Sequence, residues 1–124
     1  MLNHILLYVG SALLFIWGIS HLFPTKSVVK GFGDISLDNK RIITMEWIIE
    51  GVSLVFIGIL VASLAYVDYS HTISRLVYWL SFAGLNVLSV VSILTGFKVN
   101  FLPFKLCPFI FTSSSILIIL GGYL

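Results

Sequence analysis

Four stretches of this chain are long and apolar enough to cross a bilayer, and that property narrows the fold more than any other. A spanning helix needs about 20 mostly apolar residues. Residues 3–23, 41–67, 75–97 and 106–124 meet that requirement. Inside lipid the backbone has no water to bond, so each stretch has to be a helix that satisfies its own amides. The expected fold is therefore all-α: an integral membrane four-helix bundle, one domain over residues 1–124. Composition agrees, since 59% of the residues are hydrophobic and 10% charged, against roughly 45–50% apolar in soluble domains. The opening MLNHILLYVG lacks a positive flank, and no small-x-small cleavage site follows it. It is read as a membrane helix and not as a signal peptide.

The connections fix the topology. They are PTKSVVKGFGDISLDNK (24–40), DYSHTIS (68–74) and KVNFLPFKL (98–106). Pro24 closes the first helix, Ser36 or Asp38 can cap the second, and Pro103 and Pro108 bracket the start of the fourth. Lys26, Lys30, Lys40, Arg41, Lys98 and Lys105 lie beside the first and third connections, and Arg75 alone flanks the second. By the positive-inside rule the first and third connections are cytoplasmic and both termini lie on the outer side. Tyr8, Tyr66, Tyr69, Tyr78 and Tyr123, with Trp79, fall at the outer ends as an aromatic belt. The expected location is a cell membrane, and the stretch KGFGDISLDNKRIITMEWIIEG (30–51) resembles small prokaryotic membrane proteins, which implies the cell membrane of a prokaryote. Within the first connection, Val28, Val29, Phe32, Ile35 and Leu37 mix with Lys26 and Lys30, a pattern suited to the headgroup layer. GFGD (31–34) has no preceding strand, so it reads as a tight turn and not a phosphate loop.

Against this apolar background the second helix carries two acids, Glu46 and Glu50, one turn apart with Asn39 and Ser53 on the same face. Counted from Arg41, Glu46 lies roughly 8 Å and Glu50 roughly 14 Å along the axis, which puts Glu50 near mid-bilayer. A glutamate is too short to snorkel from there. A bare carboxylate at the centre costs on the order of 2.5–3.5 kcal/mol. Glu50 must then face the bundle, be paired or be protonated. Other helices offer polar groups at similar depth: His21 on the first, Asn86, Ser89, Ser92 and Thr95 on the third, Thr112 to Ser115 on the fourth. Plainer readings exist for each. Glu46 can clamp to Arg41 or Lys40, His21 can pack or cap, and Asn86 and the hydroxyls can join helices at about 0.6 kcal/mol each.

Several classes drop out. One cysteine, Cys107, excludes an internal disulfide and a CxxC centre, and a net charge of +2 gives no basis for binding nucleic acid. Glu-x-x-His repeats are absent, His4 and His21 lie about 25 Å apart on one helix, and there is no G-x-S-x-G elbow. No metal, haem or hydrolase site is expected.

LLFIWGISHLFPT (13–25) and EWIIEGVSLVFIGILV (46–61) resemble the first two helices of the DoxX-like superfamily. In that superfamily the first helix ends in a short polar turn and a proline, and the second carries a Glu, a glycine, an aliphatic run and another glycine. Glu50, Gly51 and Gly58 occupy those positions. The chain departs from the pattern in its long 24–40 connection and in its second acid, Glu46. The resemblance implies a four-helix subunit linked to quinone-dependent oxidation or to maturation of redox enzymes, with Glu50 as a buried acid. It assigns no role to His21 or Asn86.

The expected function is a polar pocket in the cytoplasmic half of the bundle, binding a lipophilic ligand such as a quinone or serving a redox complex as its membrane subunit. Glu50 would hold the ligand or exchange a proton with it, Asn86 and Ser89 would bond it, and His21 and Glu46 would sit at the mouth. The alternatives are a small proton-coupled transporter and a structural subunit, as a homo-oligomer or within a larger membrane complex.

Overall fold

The computed structural model describes all 124 residues. It contains α1 (Leu2–Leu22), α2 (Thr25–Lys30), α3 (Leu37–Asp68), α4 (Thr72–Val91) and α5 (Leu102–Tyr123), with no strand. The final turn of α4 widens into a π-helix over Ser92–Gly96, where the Phe97 amide donates to the Ser92 carbonyl at 2.9 Å. The four long helices are each apolar and long enough to span a membrane. They pack as an all-α bundle in the spatial order α3–α1–α5–α4, while α3 and α4 touch little. Both chain ends lie at the same end of the bundle, where the Asn3 side-chain amide donates to the Gly121 carbonyl at 3.0 Å.

Polarity runs opposite to that of a soluble bundle. The buried face of α4 is Ser74, Tyr78, Leu85 and Ser89, whereas Leu76, Leu80, Val87 and Val90 are exposed. Fully buried Ser114 and Ser115 on α5 sit beside the core formed by Leu7, Leu14, Leu54, Leu85, Phe111 and Ile118. Water would penalise so much exposed aliphatic surface, but lipid does not. The protein is a small multi-pass membrane protein whose outer faces contact the bilayer.

The helix ends differ from the sequence expectation in two places. α3 begins at Leu37, four residues before Arg41, because the Ser36 side chain caps it by accepting from the Asn39 amide at 3.2 Å. Pro103 does lie in the first turn of α5, where a missing N–H costs nothing, but Pro108 is inside the helix. There its carbonyl accepts from Ser89 Oγ at 3.1 Å, and packing against a neighbouring helix makes an internal proline tolerable in a membrane span.

The early start of α3 matters for depth. With 32 residues against 21 in α1, it is about 48 Å long against about 32 Å. Its first turns overhang the bundle, and α2 packs on that overhang. α2 is the helical part of the segment expected in the headgroup layer, with Lys26 and Lys30 exposed. After it Gly33 takes a left-handed φ of 73°, a conformation glycine adopts without penalty.

Candidate functional site

α1 and α3 come into close backbone contact at Gly18 and Gly51, as they do at Gly58. A Cβ added at Gly18 would stand 2.7 Å from the Gly51 carbonyl oxygen, and one at Gly51 would meet the Leu22 side chain at 2.6 Å. At Gly18 only hydrogen fits against the α3 backbone, while at Gly51 the Leu22 side chain would have to move, so the helices run close together there. One turn on, this contact delivers His21 from α1 against Trp47 and Glu50 from α3. The His21 and Trp47 rings stack at 3.9 Å between centroids and 15° between planes. Trp47 Nε1 donates to the His21 carbonyl at 2.7 Å, which satisfies one of the carbonyls that the end of α1 leaves open.

Glu50 Oε2 lies 3.4 Å from His21 Nε2, with the imidazole side chain 7% exposed and the carboxylate side chain 43% exposed. That separation suits an ion pair, yet the groups are out of line for a hydrogen bond, and Nε2 has no bonding partner. Beside them is a cavity of about 110 Å³, walled by Trp17, His21, Trp47, Phe101, Phe104 and Cys107 with Ser20 and the prolines Pro24 and Pro103. Phe104 meets Trp47 edge-on at 5.8 Å, and Phe101 meets Phe104 at 5.6 Å. The space is several times what one water requires.

Four buried side-chain polar atoms in the protein have no partner: Trp17 Nε1, His21 Nε2, Tyr78 Oη and Ser114 Oγ. The first two belong to residues that line the cavity, and the other two do not. The distinction is chemical as well. A hydroxyl hydrogen swings about its C–O bond until it finds an acceptor, whereas a ring N–H points where the ring points. Each unsatisfied donor costs about 1–3 kcal/mol.

The five residues singled out in the sequence fall into three places. His21 and Glu50 come together at the cavity, His21 in its wall and Glu50 behind it. Glu50 is level with the last turn of α1, opposite His21, because the turns of α3 that precede it overhang the bundle. Glu46 is exposed, and no residue of the chain pairs with it. Asn86 and Ser89 lie on the other side, in the α4–α5 seam. There Asn86 Nδ2 donates to Ser115 Oγ at 3.0 Å and to the Phe82 carbonyl at 2.7 Å. Ser89 Oγ is 2.9 Å from Thr112 Oγ1.

Trp17, Trp47, Phe104 and Cys107 were not among the expected site residues. Trp47 had a signal, since it precedes Glu50 by three positions and so shares its face. Phe101, Phe104 and Cys107 come from the far end of the chain, and only the α1–α5 packing brings them to His21.

No protein-family model matches the chain, and neither curated proteins nor solved structures give a match. The likeness to the DoxX-like superfamily therefore rests on the two quoted stretches alone.

Proposed function

We propose that the protein binds a lipophilic small molecule with a flat, carbonyl-bearing head group, such as a quinone, in the His21 cavity at the loop end of its bundle. The observation that carries this reading is an aromatic cavity bordered by two buried ring nitrogens without a full hydrogen-bond partner: Trp17 Nε1, which has only the Cys107 thiol, a weak acceptor, beside it, and His21 Nε2, which faces Glu50 out of line. A carbonyl oxygen would satisfy them, and the faces and edges of Trp47, Phe101 and Phe104 suit a planar ring. Aromatic walls with a carboxylate nearby also describe a cage for an organic cation. Two N–H donors favour an acceptor instead, since a cation cannot use them. Glu50 faces the same His21 nitrogen, Nε2, so ligand and carboxylate would share it, and Glu50 offers a proton path from the exposed face inward. The basic loop end would face the cytoplasm of a prokaryotic cell.

The test is binding of a short-chain quinone analogue to the protein in mild detergent, after absorbance and native mass spectrometry of the purified material have shown what it carries. Stoichiometric binding is expected, weakened at least about tenfold, or 1.4 kcal/mol, by His21→Leu and less by Trp17→Phe. Glu50→Gln should also lose ligand with the bundle intact. If the double variant His21→Leu/Trp17→Phe binds the analogue as tightly as the parent, the reading fails.

A second reading, a membrane subunit of a larger complex, is favoured by Glu46, an exposed acid on a membrane helix with no partner in its own chain. A partner chain carrying a basic residue would meet it there. Loss of a co-purifying polypeptide on Glu46→Gln would support that reading.

A further inference from the structure

The His21 cavity is not closed at the loop end. A second, larger cavity of about 500 Å³ adjoins it, and Pro24, Phe101 and Phe104 line both. The outer cavity runs between α2 and the α4–α5 connection, with Val28 and Phe32 on one wall and Val99 on the other. The lysines of α2 do not line it. A ring seated against His21 with an apolar substituent pointing outward would send that substituent past the three shared residues into this groove.

We propose that the groove is the chain subsite of the same ligand, so that the protein takes a single-chain lipid with a ring head and selects it by chain as well as by head. This rests on the head-group reading above. The groove opens beside an amphipathic helix whose lysines would sit at the headgroup layer, so the chain can enter from the membrane without passing through water. The occupant is the ligand's own chain, because the two cavities share walls and one extended molecule fills both. A burial of several methylenes contributes strongly to affinity.

The experiment compares a head-only benzoquinone with its decyl-substituted analogue, at one fixed detergent concentration. Both are titrated into the parent protein, Val28→Trp, and Val99→Trp from the opposite wall. Thermal midpoints serve as the check on folding. The decyl analogue is expected to bind on the order of 100-fold more tightly than the head alone. Both variants should lose most of that gain while their affinity for the head stays within about twofold. Equal affinity of the two probes for the parent would overturn the chain subsite and leave the head site standing. A chain gain that both tryptophan variants keep would also overturn it, placing the chain in detergent or lipid. Should neither probe bind, the head-group reading falls and the subsite falls with it.

Discussion

The two polar regions of this bundle treat their inward-facing polar groups in opposite ways. In the α4–α5 seam Asn86, Ser89, Thr112 and Ser115 bond one another or nearby carbonyls, and Ser115 Oγ also donates to the Thr112 carbonyl at 2.8 Å. At the loop end of α1 and α3, the His21 and Trp17 ring nitrogens are left without partners beside open space. A saturated network joins helices. An unsaturated one, lined by aromatic faces, waits for something to complete it.

That contrast can be broken most severely at the glycine contact that builds the second region. Gly18→Leu would force α1 from α3 and should cost about 3 kcal/mol or more, read as a fall in thermal midpoint in detergent with loss of quinone-analogue binding. Gly84→Leu, where an added Cβ meets nothing, should change neither. His21→Leu comes next: binding falls at least about tenfold, yet stability holds or rises, because an unsatisfied buried donor is replaced by an apolar group of similar size. Asn86→Leu should do the reverse, lowering stability by about 1 kcal/mol while leaving affinity unchanged. Ser89→Ala should cost about 0.6 kcal/mol, again without touching the ligand. Glu46→Gln should alter both quantities least, within about 0.5 kcal/mol. If Asn86→Leu weakened ligand binding as much as His21→Leu, the separation into two regions would be lost.

Much of the architecture was legible because lipid imposes simple rules. Four apolar runs of spanning length give four helices, and buried serines against exposed leucines follow once the solvent is hydrocarbon. The exact ends were less legible. A charged DNKR segment reads as a loop when helices are sought by apolarity, yet Ser36 caps a helix straight through it, and the resulting overhang leaves Glu50 level with the last turn of α1. The juxtaposition of His21 with Glu50 follows from counting turns on antiparallel helices. The rest of the cavity does not, because Phe101, Phe104 and Cys107 reach it only through the choice of neighbours in the bundle. Periodicity within one helix carries no information about which helix lies beside it. That same choice of neighbours removed Asn86 and Ser89 from the cavity and gave them to the seam.

The stacking of Trp47 on His21 has an optical consequence. An indole emits strongly until a protonated imidazole lies against its face, when electron transfer from the excited ring quenches it. Trp47 fluorescence should therefore respond to what lies in the cavity beside it, and a bound quinone, itself an electron acceptor, should darken it. With Trp17→Phe and Trp79→Phe leaving Trp47 as the single emitter, the molecule would report the state of its cavity in light, without a label.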